Sequence, residues 1–311
     1  MKKKIISIFL SLVIILFIYS FIEFRDIVNI FKDSKKFYLL LSLLLFIPTI
    51  GLSSYRFKVL VNNNFTLSFF RSLTLTMQAS FLNLFLPSKM GDIAKTAFML
   101  DKAKLSESLV IVIFEKILDF LSLLILLSIL LILVNFSFSN ELAIISYFIP
   151  IGTVFLIILF LNKRLFNLLL SIMIRILSKK TSKFLIEFKK NWNTYHLVFF
   201  KEKIIALYVV FLSIFIWLIH LIQIWFFLLS ISIGLNFIIS SIYNSFSIFF
   251  GLIPFTLAGI GTRDLSLIYF YQDVIGYPEA VSLGLLCTLR YIIPAILGIP
   301  FIMKINIFNK V

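Results

Sequence analysis

Residues 250–277 read FGLIPFTLAGIGTRDLSLIYFYQDVIGY, a stretch that lies among hydrophobic segments but is unsuited to a simple membrane span. Helix breakers interrupt it, and two adjacent charges follow. The breakers are Pro254, Gly259 and Gly261, and the charges are Arg263 and Asp264. Irregular backbone inside a membrane is tolerated only where it is buried in protein or lines a watery cavity. Intramembrane charges usually belong to functional sites. The stretch therefore predicts a broken helical hairpin at such a site.

Residues 80–96, SFLNLFLPSKMGDIAKT, have the same design. An apolar helix is followed by the breakers Pro87 and Gly91. Lys89, Asp92 and Lys95 then follow at i, i+3 and i+6, which would place them on one helical face. Lys95 has an alternative interpretation as an ordinary loop charge. If helices begin at the breaks of the two stretches, their free N–H groups form anion sites. We expect the two broken hairpins to be the two halves of one site.

The composition indicates an integral membrane protein. Of 311 residues, 61% are hydrophobic and only 14% are charged. Several apolar runs reach the length of about 20 residues that a membrane-spanning helix needs. The net charge of +15 comes from 29 basic and 14 acidic residues. Because the basic excess lies in loops between apolar segments, it indicates a cytoplasmic face against anionic lipid and not a nucleic-acid-binding protein.

The apolar pattern predicts an all-α polytopic membrane protein with about six full spans and two broken or re-entrant hairpins. The spans are 5–22, 37–55, 108–134, 142–161, 204–229 and 280–303, and the hairpins are 67–104 and 237–275. The distribution of Lys and Arg predicts a cell-membrane location with both termini cytoplasmic. Arg56 and Lys58 mark a cytoplasmic loop after the second span. The basic segment 163–203 is a cytoplasmic loop, or else its part 164–180 is an interfacial helix on anionic headgroups.

We expect residues 1–311 to form a single membrane domain with two pseudo-repeat halves, 1–134 and 142–303. Each half would contain two spans, a broken hairpin and a third span. The halves would start on opposite sides of the membrane, as in transporters built from inverted repeats. The spacing of acidic residues agrees with this pairing. Asp92 precedes Glu107 by 15 residues, and Asp264 precedes Glu279 by the same interval.

The third span carries charges near mid-depth. Glu115 and Asp119 share a face at i and i+4, and Lys116 can meet Asp119 at i+3. Arg290, also near mid-depth in the last span, is predicted to pair with Glu115, Asp119 or Asp264, or to hold a phosphate in bidentate fashion. These charges would take part directly in substrate passage. The alternative is a buried ion-pair lock between helices.

No motif predicts a catalytic residue, a metal site or a cofactor. The sequence lacks zinc-ligand spacing, a nucleophile elbow and a Walker loop, and GIGTRD has no βαβ context. The two histidines have ordinary interpretations. His220 and Gln223 lie at i and i+3 in the fifth span, where a helix–helix hydrogen bond explains such polar side chains. His196 stands alone in a polar segment.

Five segments in order resemble the lysylphosphatidylglycerol synthase transmembrane-region family of flippase-like integral membrane proteins. They are YRFKVLVNN (55–63), FLNLFLPSKMGDIAKTAFML (81–100), FEKILDFLSLL (114–124), IPFTLAGIGTRD (253–264) and GYPEAVSLGLLCTLR (276–290). Three positions depart from the family pattern while keeping its charge. Lys89 and Lys116 stand where the family has Arg, and Asp264 stands where it usually has Glu.

The resemblance implies movement of a lipid or lipid-linked headgroup between leaflets. Bifunctional relatives carry a soluble aminoacyltransferase domain, which we do not expect in this polypeptide, so no enzyme activity is predicted. The expected partners are membrane lipids, above all anionic phospholipid or a lipid-linked phosphate, with a homo-oligomer or a separate synthase as further possibilities. The alternative function is a membrane enzyme, or an enzyme subunit, acting on a lipid-linked phosphate or sugar.

Overall fold

The computed structural model describes residues 2–21, 23–62, 64–86, 90–100, 103–134, 140–176, 179–253, 256 and 259–303. Side chains are described in these ranges except at 2–10, 140–146, 179–180 and 303. Three predicted site residues lie outside the described residues. They are Pro87 and Lys89 of the first hairpin and Pro254 of the second.

The regular elements in these described ranges are helices, as the sequence predicts. Their bounds are α1 Lys2–Tyr19, α2 Phe24–Lys32, α3 Lys36–Leu44, α4 Phe46–Asn62, α5 Phe69–Phe85, α6 Gly91–Ala94, α7 Leu105–Leu133, α8 Asn140–Leu161, α9 Lys163–Ile176, α10 Lys179–Lys201, α11 Lys203–Ser230, α12 Phe237–Gly251, α13 Thr262–Tyr271 and α14 Tyr277–Met303. A 3-10 turn, Ala97–Met99, follows α6.

Four segments of the described chain are long and apolar enough to cross a membrane. They are Lys36–Asn62, Leu105–Leu133, Lys203–Ser230 and Tyr277–Ile302. A fifth candidate is bent by 87° between Tyr147–Leu161 and Lys163–Ile176. The prediction of an all-α polytopic membrane protein is therefore confirmed, whereas the count of six spans stays a prediction.

The chain forms two compact units, and three helices, α4, α5 and α11, contribute residues to both. The first unit consists of Met1–Gly51, Leu73–Ala94 and Leu218–Val311, and the second of Leu52–Ser72 and Lys95–Trp217. The predicted inverted-repeat halves stay a prediction.

In the first unit, α12, α13 and α14 pack in succession, and α14 also packs on α2. Ile18, Ile27 and Val281 form a buried apolar cluster there. A side-chain hydrogen bond joins α11 to α3, because Gln223 Nε2 donates to the Ser42 carbonyl oxygen at 2.8 Å. This contact confirms the predicted helix–helix hydrogen bond of Gln223.

In the second unit, α7 packs against α8 and α10, and α9 packs against α10. Aromatic rings fill the centre of this unit. The Phe114 ring of α7 lies 5.5 Å from Trp192, 5.0 Å from Tyr195 and 4.7 Å from Phe199, all on α10. Such ring pairs pack at favourable edge-to-face or offset geometry and dominate core energetics. These rings hold α10 against α7.

The segment 163–203 is therefore helical and not irregular, and α9, Lys163–Ile176, confirms a helix in the part 164–180. The cytoplasmic side of the segment stays a prediction. The segment forms α9, α10 and the start of α11, because an aromatic side chain recurs on the α7-facing side of α10. His196 is likewise not isolated in a polar loop. Its ring is buried, and Nε2 lies 3.1 Å from the Phe160 carbonyl oxygen of α8.

The turn before α13 depends on glycine. Gly259 and Gly261 have φ of +75° and +97°, a region that a Cβ disfavours. The predicted break is therefore confirmed at these two positions. α13 has ten residues and rises ~15 Å, about half the hydrocarbon thickness, so α13 alone is too short for a full span.

Candidate functional site

A buried arginine joins three helices of the second unit. Arg56 of α4 is 2% exposed. Its Nη1 donates to Asp119 Oδ1 at 2.5 Å and to Ser213 Oγ of α11 at 2.9 Å. Its Nη2 donates to Glu115 Oε1 at 3.2 Å. The predicted common face of Glu115 and Asp119 on α7 is thus confirmed, because one guanidinium reaches both carboxylates.

Two lysines complete this group. Lys95, 2% exposed, places Nζ 3.0 Å from Glu115 Oε2 and 4.5 Å from the centre of the Phe57 ring. Lys116 places Nζ 2.9 Å from Asp119 Oδ2, as its i+3 spacing predicts, and its side chain is 39% exposed. We call Arg56, Lys95, Glu115, Lys116 and Asp119 the Arg56 cluster. Its three cations and two anions leave one positive charge in excess.

Sequence reasoning missed two members of the Arg56 cluster. The sequence predicts Arg56 in a loop after the second span, but α4 continues to Asn62 and carries it into the interior of the second unit. Lys95 has neither of its predicted roles. α6 ends at Ala94, before Lys95, and Lys95 is buried against Glu115. The signal for Arg56 was the unbroken apolar pattern on both sides of it. The sequence singles out Lys95 in the first hairpin, but no sequence signal indicates its contact with Glu115.

In the first unit, Arg263 joins α13 to α14. Its Nε and Nη2 donate to Asp264 Oδ1 at 3.0 and 2.6 Å. Its Nη2 also donates to the Gly284 carbonyl oxygen at 3.1 Å and to Thr288 Oγ1 at 2.6 Å. Asp264 Oδ2 accepts the Gly261 N–H at 3.0 Å, which caps α13. Two of the donors predicted to bind an anion at this break, the Arg263 guanidinium and the Gly261 N–H, are therefore occupied by the chain's own groups.

Arg290 of α14 has different surroundings. It is 5% exposed, and it lies about 20 Å along α14 from the first residue of the helix, at a rise of 1.5 Å per residue. Its Nη2 donates to Tyr291 Oη, its Nη1 lies 3.5 Å from His220 Nδ1, and its Cζ lies 4.7 Å from the centre of the Tyr291 ring. Its Nε has no hydrogen-bond partner. Among the described residues of the first unit, no carboxylate forms an ion pair with Arg290.

Within the first unit the predicted pairing of Arg290 with Asp264 is therefore wrong, whereas its pairing with Glu115 or Asp119 stays a prediction. Glu115 and Asp119 pair with Arg56, and Asp264 pairs with Arg263. The reason is local. Asp264 follows Arg263 directly in the chain, and Arg56 reaches the two α7 carboxylates from the adjacent helix α4.

The first hairpin is described only in part. Gly91 opens the short helix α6, and a Cβ there would lie 2.5 Å from the Asn83 backbone nitrogen and 2.6 Å from the Ala79 carbonyl oxygen. The tight approach of α6 to α5 therefore needs glycine. Asp92 is partly exposed in α6. That the two hairpins form one site stays a prediction.

The described residues contain no group of three or more His, Cys, Asp and Glu side chains able to hold a metal ion. Comparison with protein families matches residues 4–298 to the lysylphosphatidylglycerol synthase TM region. The chain belongs to this family. A search of curated proteins gave no significant match. Membership of the lysylphosphatidylglycerol synthase TM family and the apolar helices make this a multi-pass membrane protein related to lipid modification or transport.

Proposed function

We propose that this member of the lysylphosphatidylglycerol synthase TM family is a lipid flippase or transporter. It would move a phospholipid or a lipid-linked headgroup across the cell membrane, with both termini cytoplasmic. Its partners would be membrane lipids, above all those with an anionic or phosphate headgroup. Its further proposed partners are a second copy of the chain and a separate synthase.

The observation that carries the proposal is the charge of Arg290. Three arginines are buried in the described helices, and two of them have carboxylate partners. Arg56 has Glu115 and Asp119, and Arg263 has Asp264. Arg290 has none among the described residues of the first unit, and its Nε has no hydrogen-bond partner. A buried charge is costly unless an opposite charge or strong hydrogen bonds offset the cost.

A phosphate headgroup would supply what Arg290 lacks. A guanidinium binds phosphate through two parallel N–H donors, and such charge-assisted hydrogen bonds are among the strongest in proteins. The Tyr291 ring beside the guanidinium limits the directions from which an anion can approach. In this proposal Arg290 is the headgroup contact, whereas Arg263 holds α13 on α14 and keeps the helix packing around it.

The Arg56 cluster and the charges of the first hairpin are proposed to attract the headgroup. The Arg56 cluster carries one excess positive charge at α7, with Lys116 and Asp119 as its more exposed members. These two side chains are the accessible part of the cluster, so they would meet a headgroup before the buried members do. Lys89 and Asp92 are proposed to attract the headgroup from the first hairpin.

The test is headgroup translocation by the purified chain in vesicles that contain fluorescent phosphatidylglycerol. Loss of a charge-assisted hydrogen bond costs about 1.5–3 kcal/mol, so Arg290→Gln is expected to lower the rate about tenfold to a hundredfold. Arg290→Lys keeps the charge but not the planar fork, and an intermediate rate is expected. Ile296→Ala, at an exposed position of the same helix, is the matched control and should keep the wild-type rate.

Wild-type translocation by folded Arg290→Gln protein would refute the role of Arg290. Absence of translocation by the wild-type chain with every phosphate-bearing lipid offered would refute the proposed transport. Product formation by the purified chain from a lipid-linked phosphate or sugar donor would instead establish the enzyme alternative.

A further inference from the structure

We infer that α9 is an in-plane amphipathic helix that binds the surface of a bilayer rich in anionic phospholipid. The inference does not depend on lipid transport. It rests on three features of the second unit, namely the direction of α9, its exposed apolar face and the basic residues around it.

The direction of α9 is set by a sharp bend. Tyr147–Leu161 of α8 and Lys163–Ile176 meet at 87°. α8 is apolar and carries exposed large side chains along this part, such as Phe148 at 69% and Phe155 at 61%. If α8 runs across the hydrocarbon core, a helix at 87° to it lies parallel to the membrane plane. This is the orientation of interfacial amphipathic helices.

One flank of α9 is occupied by α10. The Phe166 ring stacks on the Trp192 ring at 4.1 Å between centres. Asn167 Nδ2 donates to Asn193 Oδ1 at 2.8 Å. Lys189 Nζ donates to Ser171 Oγ at 2.7 Å. These contacts fix the rotation of α9 about its own axis, so its other flanks point in defined directions.

The opposite flank of α9 is apolar and exposed. Its six exposed side chains are Leu165, Leu168, Leu169, Ile172, Met173 and Ile176. On a helical wheel of 100° per residue these positions fall in one continuous arc, while Arg164 and Arg175 fall together on the polar side next to it. An apolar face of this size bordered by arginines matches the boundary between acyl chains and headgroups.

The charge of the surrounding surface selects the lipid. Residues 163–201 contain nine Lys or Arg and one Glu. Lys183 and Lys190 are exposed on α10, the helix that packs beside α9. Basic residues near a membrane attract anionic headgroups by about 1 kcal/mol each, which is about a fivefold preference per residue. An anionic bilayer surface therefore fits α9 better than a soluble acidic partner, because the apolar row would be left in water beside such a partner.

The location is tested with a fluorescent label on full-length protein in phosphatidylcholine/phosphatidylglycerol vesicles. The label is attached to Ile172→Cys on the exposed apolar flank, or to Thr194→Cys on the exposed side of α10 as control. The native Cys287 is buried, and the unsubstituted chain gives its labelling background. We expect nitroxide-bearing lipids to quench the Ile172 label, and aqueous iodide to quench it several-fold less than the Thr194 label.

Equal iodide access at the two positions would overturn the in-plane location. Protection of the Ile172 label from both quenchers would also overturn it, because a protein partner or a second copy would then cover this face.

The lipid preference is tested by comparing quenching from nitroxide-labelled phosphatidylglycerol and phosphatidylcholine. The wild-type Ile172 label should be quenched preferentially by the anionic lipid. Arg164→Gln with Arg175→Gln should lower that preference about fivefold per arginine. Arg164→Lys with Arg175→Lys should retain it. Equal quenching by the two lipids in the wild type would refute the anionic preference. Arg290→Gln should leave the preference unchanged, so failure here and failure of the transport proposal are distinguishable.

Discussion

Replacing Arg56 with Met removes the hub of the Arg56 cluster while keeping a long unbranched side chain. Three hydrogen bonds are lost, to Glu115, Asp119 and Ser213. Removal of one partner from a buried ion pair typically costs 3–5 kcal/mol. Here each carboxylate keeps a lysine partner, Lys95 or Lys116. We therefore expect a loss near the lower limit, about 3 kcal/mol in the free energy of unfolding.

The assay is reversible unfolding in mixed micelles, with two graded controls. Lys116→Met removes a half-exposed ion pair, and about 0–1 kcal/mol is expected because solvent screens that pair. Gln223→Leu removes a neutral interhelical hydrogen bond to the Ser42 carbonyl oxygen, and about 0.6 kcal/mol is expected. If Arg56→Met costs no more than Gln223→Leu, the reasoning that buried charge pairing stabilises this unit is refuted.

Two further perturbations test other parts of the fold. Gly261→Ala forces a Cβ into φ of +97° and towards Ile14, so a loss of about 1–3 kcal/mol is expected in the same unfolding assay. Gly51→Ala, in a helix with open space around it, should not destabilise, and an equal loss in both variants would contradict the strain argument. Burial lowers the pKa of His196, and the charge of Lys163 lowers it further. The hydrogen bond with the Phe160 carbonyl oxygen raises the pKa but does not cancel these two effects. The unfolded chain then binds a proton near pH 6.5 while the folded chain does not, so the free energy of unfolding should fall as pH drops below about 6.5. His196→Gln should reduce this dependence, and identical pH profiles for the two proteins would contradict the lowered pKa.

Much of the architecture can be predicted from the sequence, because apolar runs and the spacing of charged residues are properties of a single helix. The apolar run of α7 made its burial predictable, and the spacing of Glu115, Lys116 and Asp119 made their mutual contacts predictable. The turn at Gly259 and Gly261 was predictable for the same reason, since a glycine pair before a charged helix start is a local signal.

The partners across helices were not predictable from local signals. Nothing near Arg56 in the chain indicates Glu115 or Ser213, which reach it only through the packing of α4, α7 and α11. The helix α10 was not predicted, for a different reason. Trp192, Tyr195 and Phe199 recur at helical spacing, but the lysines that flank them, such as Lys190 and Lys201, make the segment resemble a loop. Aromatic burial outweighs those charges because the lysines occupy other faces of the helix.

The pairing of Arg56 with α7 also orders events during synthesis. Arg56 leaves the ribosome 59 residues before Glu115, which is about 3–12 s at 5–20 residues per second. During that interval α4 carries a guanidinium that has no counter-charge on α7, and an unpaired charge in a membrane segment is costly. Glu115 and Asp119 supply its counter-charge only when α7 arrives. The charge of Arg56 thus stays unpaired until α7 is made. Stable insertion of α4 therefore depends on synthesis of the later helix α7.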